Sequence, residues 1–210
     1  MEKLDLRKQF KHLYQPSAKK VELVEVPPFQ FAMVDGEIEP GVLPGLSPAF
    51  QEAVQALYGI TYTLKFMSKL RAENPIDYKV MALEGLWWVD EGDFDITRPG
   101  DWRWTVMIMQ PDHITETMFQ EALEQLRKKK PGPGLDKLRL ETFEEGLSMQ
   151  IMHIGPYAEE PATIEKMHAF AAENGYSLRG KHHEIYLGDP RTADPAKLKT
   201  GLRQPVGRGN

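Results

Sequence analysis

The chain has 210 residues, 41% of them hydrophobic and 27% charged, which sets it among folded globular proteins rather than disordered ones. It has no Cys, which excludes disulfide staples, zinc ribbons, iron–sulfur clusters and thiol chemistry together. A formal net charge of −5 argues against broad attraction to phosphate backbones, and the sequence has neither a long apolar run nor an apolar secretory segment at its start. The expectation is a cytoplasmic protein whose partner is a small molecule, with no membrane and no direct nucleic-acid contact.

Residues 1–20 are rich in Lys and end on Tyr14-Gln15-Pro16-Ser17, so they read as an arm or a short capping helix. The β-branched content of 21–26, stopped by Pro27-Pro28, predicts a strand. Residues 29–34 predict a second strand, closed by Asp35-Gly36 as a turn signal. The Pro- and Gly-rich stretch 39–48, with Pro40, Gly41, Pro44 and Gly45, reads as a loop. Ser47 then offers an N-cap with Pro48 at the first helical position. Phe50, Val54, Leu57, Leu64 and Met67 share one side of a helix expected to run to about Ala72.

Two aromatic strands, 78–89 and 102–109, come next, joined by a loop carrying Asp90, Glu91, Asp93, Asp95 and Asp101. A helix opening at Asp112 or Thr115 turns Phe119, Ala122, Leu123 and Leu126 inward and ends on Lys128-Lys129-Lys130, the charge order that suits the helix dipole. Pro131-Gly132-Pro133-Gly134 breaks the chain. After it the pattern restarts: strands at 138–143 and 147–154, a helix at 163–174, and a strand at 182–187. The order of elements predicts an internal duplication within a single domain. Residues 1–20 form the arm, 21–130 the first unit and 135–210 the second. The fold class is α+β, with two duplicated units forming an antiparallel sheet and the helices packed on its outer face.

No P-loop, GxGxxG, GxSxG or HExxH motif is present. Of the six His, His182 and His183 are neighbours on a predicted strand, so they point to opposite faces and do not chelate one metal together. No metal and no cofactor are expected. All four Trp fall in one hairpin, as Trp87, Trp88, Trp102 and Trp104. The ordinary reading is sheet core; the alternative is an aromatic-walled pocket for a flat ligand. Alternation in Lys181-His182-His183-Glu184-Ile185-Tyr186-Leu187 places His182, Glu184 and Tyr186 on one face. That face is either solvated or projects a carboxylate and a phenol into a cavity. A carboxylate desolvated by aromatic walls is raised toward what a general base needs.

The tail carries a resemblance. Glu184-Ile185-Tyr186-Leu187-Gly188-Asp189-Pro190-Arg191, with Pro195, Lys197, Leu198, Lys199, Thr200, Leu202, Arg203, Gln204, Pro205 and Val206, resembles the C-terminal signature of the GyrI-like small-molecule-binding family. Leu13-Tyr14, the stretch of Tyr62, Lys65 and Phe66, and Glu84-Gly85-Leu86-Trp87-Trp88 resemble its longer stand-alone bacterial branch. The resemblance implies a duplicated β-α-β-β fold forming a curved antiparallel sheet, with helices on one face and a ligand cleft at its centre. It implies kinship with effector domains of multidrug-sensing regulators, with a gyrase inhibitor, and with cyclopropanoid cyclopropyl hydrolases that add water to electrophilic cyclopropanes. In those hydrolases the catalytic pair matches Glu184 and Tyr186. Trp87, Trp88, Trp102, Trp104, Tyr62 and His182 are then the expected ligand contacts, with Trp87 and Trp104 foremost. Glu184 would orient or deprotonate a water, while Tyr186 positions that water or donates to the oxygen that gains charge. The other readings are a non-catalytic multidrug or effector binder and a gyrase-inhibitor-like protein-binding module. No helix-turn-helix precedes the domain, so a transcription-factor role is not expected.

Overall fold

The computed structural model describes residues 3–39, 41–92, 94–97 and 101–209; Pro40 of the first loop and Asp93 of the acidic loop lie outside them. The N-terminal arm forms two single-turn helices, α1 (Leu6–Gln9) and α2 (Lys11–Tyr14), the first capped by the Asp5 carboxylate accepting from the Lys8 amide at 3.2 Å. Leu13 and Tyr14 are buried, so the arm is part of the core. There follow β1 (Glu22–Val26), β2 (Phe29–Glu37), α3 (Pro48–Leu70), β3 (Leu83–Trp88), β4 (Arg103–Met109) and α4 (Glu116–Lys129). The second series is β5 (Arg139–Phe143), β6 (Gly146–Ile154), α5 (Glu160–Glu173), β7 (Tyr176–Leu178), β8 (His182–Tyr186) and β9 (Lys199–Arg208).

These strands make one curved, open antiparallel sheet in the order β1-β6-β9-β8-β3-β4-β2-β5, with β7 added against β9. The order reads the same from either end when β1 is exchanged with β5, β2 with β6, β3 with β8 and β4 with β9. That symmetry gives structural content to the restart after the Pro/Gly break. The first strand of each series crosses over: β1 pairs with β6, and β5 pairs with β2.

The Ser47 hydroxyl caps α3 by accepting from the Phe50 amide at 3.2 Å, with Pro48 just inside the helix. α3 packs on β2 and β4 and buries Leu57, Ile60 and Leu64, each worth roughly 1.5–3 kcal/mol of apolar transfer. α5 packs on β6 and β7 and buries Ile164, Met167 and Ala171 in a separate cluster. Neither helix packs mainly on the central pair, β3 and β8, which lies between them. The helices therefore flank a cleft on the same side of the sheet that holds it, not on an outer face away from it. The opposite face of the central strands is closed by the arm, through Leu13 and Tyr14.

Several boundaries differ from the sequence reading for identifiable reasons. Asp35-Gly36 is not a turn; β2 continues through both, and Gly36 lies opposite Trp104 in the register. A Cβ at Gly36 would run into the Trp104 ring, so the glycine serves close packing. Residues 78–82 do not join β3, because Tyr78 pairs instead with Leu4 of the arm in an isolated bridge. The tail 199–208 is a strand inserted between β6 and β8. Among the described residues no helix is long and apolar enough to cross a membrane.

Candidate active site in the central cleft

The β3–β8 pair sets the geometry. Its register opposes Leu83 to Tyr186, Gly85 to Glu184 and Trp87 to His182, so these side chains share the cleft face. Gly85 carries no side chain where one would obstruct: an added Cβ would lie 2.9 Å from Trp87 Nε1 and 3.0 Å from the Tyr186 hydroxyl. Through that gap the Trp87 indole N–H donates to the Tyr186 oxygen at 3.2 Å. Tyr186 in turn donates to Glu184 Oε2 at 2.6 Å. Burial first, then the neighbouring Glu184 charge, push the Tyr186 phenol well above its ordinary range, so its proton stays in place. His182 Nε2 lies 3.4 Å from Glu184 Oε1, and its ring stacks on Phe94.

A further carboxyl belongs to the same cleft. Glu160, the first residue of α5, is 1% exposed, and its Oε1 is buried without a hydrogen-bond partner. Burial, and behind it the charge of Glu184, hold its carboxyl far above the usual carboxylate range, at about 9. The Thr200 hydroxyl, opposite Tyr186 in the β8–β9 register, is likewise buried and lies toward the Glu160 carboxyl, where it partly opposes that rise. Tyr157 packs edge-on against Tyr186 with ring centroids 6.0 Å apart.

Trp87, Tyr157, Glu160, Glu184 and Tyr186 line a cavity of about 1860 Å³ that runs along α3. That exceeds the few hundred to about 1,000 Å³ of a usual ligand pocket. Trp87 and Trp102 line it, their rings in edge contact at 6.0 Å, with Phe50 of α3 stacked on Trp87 at 5.5 Å. Tyr62 lies on the half-exposed rim, stacked on Tyr58. Two of the expected aromatic contacts lie elsewhere. Trp104 is covered by the first turn of α3, through Phe50, and by Gly36, and belongs to the core rather than to the cleft wall. Trp88 falls on the other face of β3, its ring under the Lys181 ammonium at 3.3 Å. His182 is placed behind Phe94 and reaches the cleft through Glu184. Among the described residues no group of three or more His, Asp or Glu is arranged to hold a metal ion.

The opposite face of the same strands carries a buried charge network that the sequence reading missed. His183, as an imidazolium, donates from both ring nitrogens to two carboxylates, with Nε2 2.9 Å from Glu84 and Nδ1 3.0 Å from Glu145. Tyr14 donates to Glu84 at 2.6 Å. Arg203 of β9 donates to Glu145 at 3.1 Å and to the Leu13 carbonyl at 2.8 Å. Burial disfavours the imidazolium, yet the Glu145 and Glu84 carboxylates outweigh it and hold His183 at about 9. Burial likewise opposes the charge on Glu145, but His183 and Arg203 hold its carboxyl at about 2. Two anions and two cations thus balance behind the cleft floor, and they tie the arm to β3, β8 and β9.

A curved antiparallel sheet with a symmetric strand order and a carboxylate–phenol pair in an aromatic cleft defines a small-molecule-binding domain. The GyrI-like small molecule binding domain pattern matches residues 19–206, and the chain belongs to that family. Among solved structures it is similar to an uncharacterized conserved protein from Listeria innocua, at 42% identity and a TM-score of 0.87, over 98% of this chain and all of the other. A hydrolase from Listeria innocua is similar at the same identity and coverage, with a TM-score of 0.82. The EcmrR C-terminal domain shares the fold at 12% identity and a TM-score of 0.55, over 90% of this chain and 98% of that domain. No curated protein matches the chain.

Proposed function

We propose that the protein is a hydrolase that adds water to a flat electrophilic small molecule, of the cyclopropanoid class, held against Trp87 and Trp102. The observation that carries this reading is the 2.6 Å hydrogen bond from Tyr186 to Glu184 at the floor of an aromatic cavity. A carboxylate fixed by a phenol, itself fixed by an indole N–H, is oriented to take a proton from water. Tyr186 has a single hydroxyl proton and directs it in a hydrogen bond to Glu184, so its part is to hold the base. A strained ring conjugated to a carbonyl supplies the driving force, and the site has only to place water against the reactive carbon. The similar hydrolase from Listeria innocua supports this reading.

A second reading, a non-catalytic binder of cationic aromatic ligands, is favoured by the pairing of Glu160 with Glu184 among aromatic rings. One experiment separates them. Wild-type protein and Glu184→Gln are incubated with a panel of electrophiles, and products are followed by mass spectrometry. The hydrolase reading expects water-addition products and a loss of turnover by about 100-fold or more in Glu184→Gln. Absence of turnover, with cation affinity weakened by the same substitution, would establish the binder instead.

A further inference from the structure

The hydrolytic reading leaves one role unfilled. When a cyclopropane conjugated to a dienone opens, the carbonyl oxygen gains the electrons of the broken ring bond and needs a proton. Tyr186 does not supply it, because its hydroxyl proton is engaged by Glu184 and its oxygen already accepts from Trp87. Glu160 enters the same cavity from α5, is 1% exposed, and has one carboxyl oxygen with no partner. Buried polar atoms in folded proteins are nearly always paired, so an orphaned one in a cavity wall calls for an explanation. A polar ligand with an oxygen at this point of the cavity would satisfy Glu160 Oε1.

Resting on that hydrolytic reading, we propose that Glu160 is the catalytic acid that donates its proton to the substrate oxygen while Glu184 acts as base. The water O–H breaks and its proton passes to Glu184. The water oxygen bonds the ring methylene, and the C–C bond opens toward the conjugated ring. The electron pair arrives on the carbonyl oxygen, which takes the proton of Glu160 and becomes a phenol. Transfer of the proton now on Glu184 to Glu160 restores both groups, and water has been added with no other reactant. The groups facing Glu160 suit this division. Glu184 and Tyr186 come from β8, Thr200 from β9 and Tyr157 from the turn before α5, with Asp189 beyond. Glu184 and the burial of the site both favour the protonated form of Glu160 at neutral pH.

The probe is a spirocyclopropyl cyclohexadienone, whose hydration gives a hydroxyethyl phenol read by ultraviolet absorbance. Glu160→Gln preserves shape and neutrality but has no acidic proton. The expected result is a fall in kcat of about 100-fold or more with KM little changed, and loss of the alkaline limb of the kcat/KM profile. Infrared spectra at neutral pH should also show a protonated-carboxyl band in the wild type that is missing from Glu160→Gln. A purely structural role for Glu160 would leave the rate and the alkaline limb intact in this variant. Full activity of Glu160→Gln beside an inactive Glu184→Gln, or identical infrared spectra, overturns this assignment alone. A wild-type protein that leaves the probe intact overturns the hydrolytic reading together with it.

Discussion

His183 and Glu184 are adjacent in β8 and serve opposite sides of the sheet: Glu184 accepts a hydrogen bond from the Tyr186 hydroxyl in the cleft, while His183 is clamped between Glu84 and Glu145 behind it. The strand that carries the candidate base is therefore anchored from the back by charge-assisted hydrogen bonds, one residue away. Site precision and stability meet in a single peptide unit.

Removing the anchor should be costly. His183→Ala leaves the Glu84 and Glu145 carboxylates buried without their shared partner, at about 3–5 kcal/mol, the range for breaking a buried ion pair. Urea unfolding of wild type and variant measures it. A difference under about 1 kcal/mol would mean that the network is not what holds β8.

The same network sets a pH window for stability. His183 is raised from 6.5 to about 9 in the folded protein, so its contribution is full below about pH 6.5 and is lost as pH rises through about 9. Glu145 is lowered from 4.5 to about 2, so its contribution is full above about pH 4.5 and is lost as pH falls through about 2. Each shift corresponds to about 3 kcal/mol, and they describe largely one shared interaction, so they do not add. Thermal unfolding followed from pH 5 to pH 10 should show Tm falling between about pH 6.5 and 9, and the fall should be smaller in His183→Gln.

Tyr186→Phe keeps the ring against Tyr157 but removes the donor to Glu184 and the acceptor for Trp87. Turnover should fall by about 10-fold, on the scale of one hydrogen bond to a charged group and less than for Glu184→Gln. Steady-state kinetics on the two variants checks the order. The reverse order would make Tyr186, not Glu184, the central group.

Trp87→Ala should weaken binding of a flat aromatic ligand by about 1–3 kcal/mol, read by titration of the remaining tryptophan fluorescence. Trp88→Ala should leave that affinity unchanged, since its ring lies on the other face under Lys181. Equal losses in both would place the ligand somewhere other than the cleft.

Gly36→Ala puts a methyl group into the Trp104 ring and should cost about 1–3 kcal/mol through overpacking. Ligand affinity should be unaffected, because Trp104 belongs to the core. Chemical denaturation beside ligand titration separates the two effects.

Local patterns made much of this molecule legible. Ser47-Pro48 announced α3, and alternation along 182–187 put His182, Glu184 and Tyr186 together, as their contacts bear out. Counting along a strand distinguishes its faces, but it does not tell what covers them. Trp102 and Trp104 share a face, yet Phe50 covers only the second. The network behind the cleft was invisible for a different reason. Tyr14 and Glu84 are 70 positions apart, and Arg203 reaches the Leu13 carbonyl across 190. Glu160 was hidden inside Glu159-Glu160-Pro161, an ordinary acidic helix start, and only the folded chain brings it within reach of the Glu184 charge.

The exchange of β1 and β5 between the two series makes this protein interlocked. Cut within the Pro131–Gly134 break, the chain would not yield two self-sufficient halves. The first fragment would carry β1 with no strand to lie against and β2 with a bare edge; the second would carry β5 and β6 in the mirrored condition. Each fragment holds what completes the other, so the two produced together should recombine one to one. Either alone would present open sheet edges to any chain that could pair with them. A gene formed by doubling a shorter one would, with this topology, preserve the contacts of an ancestral pair of identical chains that traded their first strands.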